Sequence, residues 1–328
     1  MAVFEIEQKN CKGFGMKCIK THIHQVKQTK MGKLTRFTGA LLSPIYWAAA
    51  HLYSVPGLKM HRYAFFKGMD LLIRQKFGLE YIYNLLFFPM DSVRYFEYDF
   101  LWHALYKKPL EGNFLDISSP RLILAILMSK FRKLNVEIVN PDQKDLSATR
   151  ELMNACGYSD RCRFRDSLIA DLDFRAESFD IITSISVIEH IPGEEDKAAV
   201  EKLWQILRPG GSLILSVPCA REAFEEYIDF DEYGLLTPGE DGFVFGQRFY
   251  DEILLEKRIF SITGKPITQA IYGENKSGAL KENRQEKIST PDYPFWREPL
   301  MMGKEYSYFQ SISDLPGWGV IAMEFIKQ

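Results

Sequence analysis

The chain has 328 residues, of which 46% are hydrophobic and 26% are charged, and its net charge at neutral pH is −2. This composition is typical of a soluble globular protein and excludes an intrinsically disordered chain. The length fits one large domain, or one domain with a substantial extension. Because the net charge gives no general attraction to polyanions, we expect no nucleic-acid partner.

The cysteines are scattered along the chain, and none forms a C-x-x-C pair. They are Cys11, Cys18, Cys156, Cys162 and Cys219. Their odd number and their spacing indicate neither a zinc site nor a disulfide framework. We therefore expect reduced thiols, no metal and a cytoplasmic location.

Residues 1–69 are strongly basic, with only Glu5 and Glu7 as acids. The bases are Lys9, Lys12, Lys17, Lys20, Lys27, Lys30, Lys33, Arg36, Lys59, Arg62 and Lys67. We expect residues 1–40 to be loosely ordered, because they show no sustained apolar period.

An apolar run at residues 39–55 follows this start, interrupted by Pro44 and His51. It falls short of the roughly 20 residues that a spanning helix needs. One interpretation is a helix lying on an anionic membrane, which would make the protein membrane-peripheral. The other is a buried helix with a solvated basic face, and the shortness of the run favours it.

Residues 41–110 are rich in aromatic residues and have a helical pattern, which Pro89 should interrupt. From residue 111 onward, short apolar runs alternate with helical segments. The predicted strands are Asn113–Ile117, Val136–Val139, Cys162–Arg165, Phe179–Ile188 and Ser212–Val217. This alternation predicts an α/β fold with a parallel sheet that is covered on both faces.

The last third of the chain has a looser pattern, with insertions near 221–250 and 276–314. We predict a helix at Tyr250–Phe260 and a strand at Ile267–Tyr272. The terminal segment Trp318–Ile326 should add an antiparallel strand to the edge of the sheet.

Residues 178–218 carry an ordered set of short motifs. Ser178-Phe179-Asp180 opens a strand, Glu189-His190 follows it, and Arg208-Pro209-Gly210-Gly211 precedes a strand that ends at Pro218. The set closely resembles the second half of a class I S-adenosylmethionine-dependent methyltransferase. The resemblance extends more thinly over residues 95–328, and residues 1–90 lie outside it. It implies a Rossmann-like, doubly wound and mostly parallel seven-stranded sheet over 111–328, with an N-terminal helical extension.

The resemblance also implies S-adenosyl-L-methionine as the cofactor, held partly by the loop in FLDISSPR. The family places an acid before G-x-G-x-G there. Asp116 matches the acid, whereas Ser118 and Pro120 replace the first two glycines. In one interpretation, Ser118, Ser119 and a helix N-terminus receive the cofactor carboxylate. In the other, a serine caps the helix, Pro120 occupies its first turn, and cofactor binding is lost.

Further cofactor contacts follow from the same resemblance. At the ribose, Asn140 or Asp142 stands where the family has an acid, although Asn140 can equally belong to an Asn-Pro turn. At the adenine, the candidates are Asp166 and Ser167, with Asp171 as the alternative. The end of the fourth strand, with Ser184, Ser186 and Val187, would line the ribose and methionine side.

Methyl transfer to a hydroxyl benefits from a general base, and histidine suits this role near neutral pH. His190 is the candidate, with Glu189 orienting it or binding cofactor; alternatively, the pair only fixes the loop. The acceptor side has two candidate regions. They are Arg94, Tyr95 and Glu97 in the helical segment, and Gln247, Arg248 and Tyr250, which otherwise belong to an ordinary loop entering a helix.

Two functions remain open from the sequence. The first is a methyltransferase for a small-molecule, sugar or lipid-linked acceptor. The second is a catalytically inactive methyltransferase-like binding or scaffold protein, which the missing glycines keep open. Nucleic-acid methylation lacks an N-P-P-Y-like motif.

Overall fold

The computed structural model describes residues 6–10, 16–22, 32–74, 78–90, 92–106, 108, 111–131, 133–231, 234–290 and 293–328. Within these ranges, no helix combines the length and apolarity that crossing a bilayer requires.

The N-terminal part contains two strands followed by four helices. These are β1 (Ile6–Asn10), β2 (Lys17–Thr21), α1 (Lys33–Ala50), α2 (Leu58–Arg74), α3 (Leu79–Phe87) and α4 (Arg94–Tyr106). The predicted helices are confirmed, and Pro89 lies between α3 and α4. The prediction that residues 1–40 are loosely ordered is wrong for β1, β2 and the start of α1. Because β2 pairs with a strand about 200 residues later in the chain, no local pattern reveals it.

The following segment alternates strands and helices. Its first part has β3 (Glu111–Ile117), α5 (Arg121–Lys130), β4 (Lys133–Val139), α6 (Gln143–Ala155), β5 (Cys162–Arg165), β6 (Phe179–Ile185), α7 (Glu195–Ile206) and β7 (Leu207–Ala220). The second part has β8 (Phe224–Ile228), β9 (Val244–Phe249), α8 (Glu252–Leu255), a π-helical turn (Glu256–Phe260), α9 (Ser261–Thr263), β10 (Thr268–Glu274), α10 (Ala279–Ser289), α11 (Glu298–Glu305), β11 (Tyr306–Phe309) and β12 (Trp318–Ile326). The five predicted strands of the first part are all present; Cys162–Arg165 has the predicted ends, and the other four have shifted ends.

Eight of the described strands form one sheet in the order β5-β4-β3-β6-β7-β12-β10-β11. The strands from β5 to β7 are parallel, and the remaining three are antiparallel to their neighbours. This is the expected doubly wound, mostly parallel sheet, with β11 as an additional edge strand. The terminal strand β12 is antiparallel, as predicted, but its predicted position at the edge is wrong. It lies between β7 and β10, because residues 268–309 supply the strands beyond it.

Both faces of the sheet are covered, and alternate residues of β3 show this directly. Phe114 packs with α5, α6 and the N-terminal helices, whereas Leu115 and Ile117 pack with α7 and the helix that starts at Glu252. The N-terminal helices are therefore part of the main hydrophobic core. Their α4 also lies close to the inner strands β7 and β12.

A smaller sheet, in the order β1-β2-β8-β9, joins the N-terminal strands to the segment near 221–250. Within it, Cys18 on β2 is disulfide-bonded. The prediction of reduced thiols is wrong for this residue, and Cys11 lies outside the described residues. Cys156, Cys162 and Cys219 are free, as predicted.

Candidate functional site

A cavity of about 480 Å³ opens at the carboxyl ends of β3, β4 and β6. The chain leaves β3 and β6 toward opposite sides of the sheet, and open α/β sheets bind ligands at such a switch point. The predicted residues Ser118, Asn140, Asp142, Ser167, Ser186 and His190 line this cavity. The predicted residues Asp116, Ser119, Asp166 and Glu189 lie outside its lining.

Asp116 holds the loop after β3 to the neighbouring strand. It is buried, and its two carboxylate oxygens accept hydrogen bonds from the Ser119 amide at 3.1 Å and the Thr183 hydroxyl at 2.8 Å. Burial raises the pKa of Asp116 from 3.8 to about 6, against the opposing effect of these hydrogen bonds. The burial and hydrogen bonds of Asp116 are therefore those of a residue that shapes the loop after β3.

Two serines in the cavity lining have left-handed backbones. Ser118 has φ of +49° and Ser186 has φ of +52°. A residue with a side chain is strained in this region, and glycine is not, which explains why glycine suits the loop after the first strand. The Ser118 amide and hydroxyl both donate to the Val139 carbonyl, at 2.8 and 3.1 Å, and these bonds hold its strained conformation. Such strain in adjacent strand ends is typical of functional sites.

The N-terminus of α5 differs slightly from the prediction. The helix begins at Arg121, and Pro120 stands just before it, with no serine side chain capping the helix. The Ser119 hydroxyl is buried beside the Asp116 carboxylate, on which it acts to lower the pKa, although it forms no well-aligned hydrogen bond within the described residues.

Asn140 and Asp142 organise the loop after β4. The Asn140 side chain accepts from the Asp142 amide at 2.8 Å and donates to the Asp145 carboxylate at 2.9 Å. Asp142 caps α6 by accepting from the Lys144 and Asp145 amides. The Asn-Pro turn interpretation of Asn140 is therefore correct, and Asn140 still lines the cavity.

Asp145 is a cavity-lining carboxylate that the sequence reasoning missed. Arg121 contacts it at 3.0 Å, and burial raises its pKa despite this neighbouring charge. The sequence signal is its position in the first turn of α6, three residues after the Asp142 cap. There, an acid faces back toward the strand ends.

The loop after β5 forms an apolar wall. Ser167, Leu168, Ile169 and Ala170 line the cavity. Asp166 is exposed and accepts a 2.6 Å hydrogen bond from Gln143, so its side chain is engaged outside the lining. An apolar wall beside a few polar groups is the usual lining of a small-molecule site.

Glu97 connects the N-terminal helices to the ends of β6 and β7. Its side chain is fully buried and accepts hydrogen bonds from Ser186 at 2.5 Å and from Ser216 at 2.8 Å. Arg94 forms an ion pair with it at 2.5 Å. Glu97 was predicted as an acceptor contact, but its observed partners make it a support for the strand ends.

Glu189 and His190 lie in a short 3₁₀ turn after β6. Burial, strengthened by the nearby Glu97 charge, raises the pKa of Glu189 from 4.5 to about 8. Its Oε2 atom has no partner among the described residues. Glu189 is therefore protonated near neutral pH, and it can donate a hydrogen bond.

His190 contacts the Gly246 carbonyl through Nδ1 at 2.7 Å, so Nδ1 carries the proton and Nε2 the lone pair. Burial lowers the pKa of His190 from 6.5 to about 4. The histidine is therefore neutral at physiological pH. Charges from Arg94, Arg284 and Glu226 also act on it.

A buried ionic cluster fixes the loop that follows His190. Asp196 pairs with Arg248 at 2.6 Å and with Arg258 at 2.5 Å, and it accepts a 2.8 Å hydrogen bond from Tyr250. Both arginines also donate to the Gly193 carbonyl. The predicted acceptor role of Arg248 and Tyr250 is wrong, because both are fully buried in this cluster. The ordinary-loop interpretation is wrong for Arg248, which lies on β9, whereas the helix predicted at Tyr250–Phe260 is present as α8 and the π-helical turn.

Comparison with known families supports the presence of a methyltransferase domain. Residues 115–215 match the family model of a methyltransferase domain. No curated protein matches the chain.

Several solved structures are distantly similar to this chain. The geranyl diphosphate C-methyltransferase from Streptomyces coelicolor A3(2), in complex with Mg²⁺, geranyl diphosphate and S-adenosyl-L-homocysteine, has a TM-score of 0.47 and 11% identity, covering 72% of this chain and 79% of that one. Coclaurine N-methyltransferase, bound to N-methylheliamine and S-adenosylhomocysteine, has a TM-score of 0.46 and 12% identity, with 70% and 71% coverage. The [4+2]-cyclase SpnF has a TM-score of 0.45 and 14% identity, with 70% and 80% coverage. At such distances, the ligands remain properties of those proteins.

Proposed function

We propose that this chain, which contains a class I methyltransferase domain, transfers the methyl group of S-adenosyl-L-methionine to a small-molecule acceptor. The proposed acceptors include sugars and lipid-linked molecules. The observation that carries the proposal is the cavity at the switch point between β3 and β6. Its volume lies in the range of about 300–1,000 Å³ that is usual for sites of small ligands.

The residues present fit this cofactor. Ser167 to Ala170 would hold the adenine, while Asn140 and Asp145 would bind the ribose hydroxyls. Ser118 lines the cavity next to the N-terminus of α5, and this helix end would favour the negatively charged carboxylate of the cofactor.

The cofactor supplies a methyl group that its sulfonium already activates, so the protein mainly has to align the acceptor and exclude water. His190 provides an Nε2 lone pair whose tautomer is fixed by the Gly246 carbonyl. This nitrogen can accept the proton of an acceptor hydroxyl as the new bond to carbon forms. With its lowered pKa, His190 is a weak base, and its main contribution is to orient the acceptor proton.

A buried polar cluster acts electrostatically on His190. Glu226 is buried in it and accepts hydrogen bonds from Thr21, Gln247 and Arg284, at 2.8, 2.7 and 2.7 Å. Burial raises the pKa of Glu226, but these contacts outweigh burial and lower it.

The test is transfer of a labelled methyl group from the cofactor into aqueous and organic fractions of a cell extract. The proposal expects a labelled product that requires the protein. His190→Ala should slow its formation without weakening cofactor binding. A protein that binds the cofactor but labels nothing in either fraction would favour the inactive, binding-protein alternative.

A further inference from the structure

Helix α1 exposes an apolar face. Leu34, Phe37, Leu41 and Ile45 are exposed by 77%, 63%, 59% and 63%. Their spacing of three or four residues places them on one side of the helix.

The opposite side of α1 carries small residues and faces the protein. Gly39, Ser43 and Ala50 are buried. A side chain at Gly39 would meet Tyr83 and Trp296, which shows how closely this side packs. The favoured sequence interpretation, a buried helix with a solvated basic face, is therefore wrong. The helix buries its small residues and presents its large apolar residues to the outside.

The apolar exposure continues beyond α1. Exposed side chains in the next turn and in α2 are Leu52, Tyr53, Phe65, Phe66, Met69, Leu72 and Ile73. Single exposed apolar residues are ordinary, but so many on two consecutive helices indicate an interaction surface.

Basic residues accompany this surface. Over residues 32–74 and 78–90, the bases are Lys33, Arg36, Lys59, Arg62, Lys67 and Arg74, and the acids are Asp70 and Glu80. Lys33 and Arg62 are exposed, and each stands beside exposed apolar residues of its own helix. The sequence just before α1 adds Lys27 and Lys30.

We infer that the exposed apolar face of α1, together with that of α2, docks on an anionic lipid membrane. Apolar side chains would enter the boundary between headgroups and acyl chains, and the lysines and arginines would meet the lipid phosphates. A second copy of the chain is a poorer partner, because a symmetric interface would bring these positive charges together. The inference depends on the helix surface and not on the proposed enzymatic activity.

Co-sedimentation with vesicles tests this inference, with no cofactor present. The full chain should bind vesicles that contain phosphatidylserine and phosphatidylcholine. It should bind pure phosphatidylcholine much more weakly, and high salt should weaken the first interaction. The double variant Leu41→Glu/Ile45→Glu should lose at least about tenfold in apparent affinity. Ile253→Glu is the matched control, because Ile253 is 77% exposed on α8, away from α1 and α2; it should bind as the wild type does.

A second variant separates charge from apolar contact. Lys33→Glu/Arg62→Glu should remove most of the dependence on phosphatidylserine, and circular dichroism should show an unchanged fold. The inference is overturned if the wild type does not bind anionic vesicles, or if the Leu41/Ile45 variant binds like the Ile253 control. It is also overturned if the wild type is a dimer that this variant dissociates, since the face would then pair two copies.

Discussion

The Ser186 hydroxyl donates a 2.5 Å hydrogen bond to Glu97, and this bond joins the N-terminal helices to the end of β6. Ser186 is one of the two left-handed serines of the cavity lining. A buried carboxylate on α4 thus supports the strained backbone of the candidate cofactor site. The helical extension therefore forms part of the site and is more than an appended segment.

Replacing Glu97 should damage both stability and the site. Glu97→Ala leaves Arg94, Ser186 and Ser216 without their shared acceptor, so we expect a loss of roughly 2–4 kcal/mol in the free energy of unfolding. Cofactor affinity should fall as well, since Ser186 loses its support. Denaturant titration and calorimetry measure the two effects. Glu97→Gln keeps one acceptor oxygen and should show smaller losses; equal stability of the wild type and Glu97→Ala would contradict this role.

Substitutions at Ser118 test the backbone conformation of the glycine-poor loop after β3. Ser118→Gly removes the strain of the left-handed φ but also the hydroxyl bond to Val139, so stability should change by less than about 1 kcal/mol. Ser118→Val cannot adopt this φ easily and should cost roughly 1–3 kcal/mol, with weaker cofactor binding. Thermal unfolding of both variants is the measurement. If valine were tolerated as well as glycine, the loop would not have the conformation described.

Part of the fold and of the candidate site could be predicted from the sequence. The parallel strands and their order along the chain follow from local apolar runs, and the family motifs place the cavity. The role of Glu97 could not be predicted, because its partners lie about 90 and 120 residues away. Likewise, Arg248 resembled a polar surface residue until its pairing with Asp196 was known. Local patterns indicate which elements form, whereas buried polar partners depend on tertiary packing.

Glu189 should give stability a distinct pH dependence. Its folded-state pKa of about 8 lies above its ordinary value of 4.5, so the folded state holds a proton that the unfolded state has lost. Stability should fall as pH rises through this window. Relative to Glu189→Gln, the slope should be close to about −1.4 kcal/mol per pH unit near pH 6.5 and about half of that near pH 8.

The range from pH 6.5 to 8 also avoids the titration of His190. Because the pKa of His190 is lowered, its contribution makes stability rise with pH, and it does so at lower pH. Chemical denaturation at a series of pH values measures the difference. Parallel curves for the wild type and Glu189→Gln from pH 6.5 to 8 would show that Glu189 is already ionised.

Asp196 should be among the most sensitive buried positions. Asp196→Ala removes the buried carboxylate that Arg248 and Arg258 share and leaves each arginine with one other acidic partner, Glu225 or Glu194. The cost should lie near the lower end of the about 3–5 kcal/mol typical of a broken buried ion pair. Because both arginines also hold the Gly193 carbonyl, the loop after His190 should loosen. Hydrogen exchange of the Ile191, Gly193 and Glu194 amides should therefore accelerate in Asp196→Ala. Asp173→Ala, which removes an exposed carboxylate at a surface ion pair, is the control and should change little.

The most direct test of the central claim is calorimetric titration of the purified chain with S-adenosyl-L-methionine and with S-adenosylhomocysteine. The account predicts that both bind at a single site with micromolar affinity, about −8 kcal/mol. Asn140→Ala and Asp145→Ala should each weaken both ligands, because they remove the polar groups assigned to the ribose. A folded protein that gives no heat with either ligand, and no competition between them, would contradict the assignment of the cavity as a cofactor site.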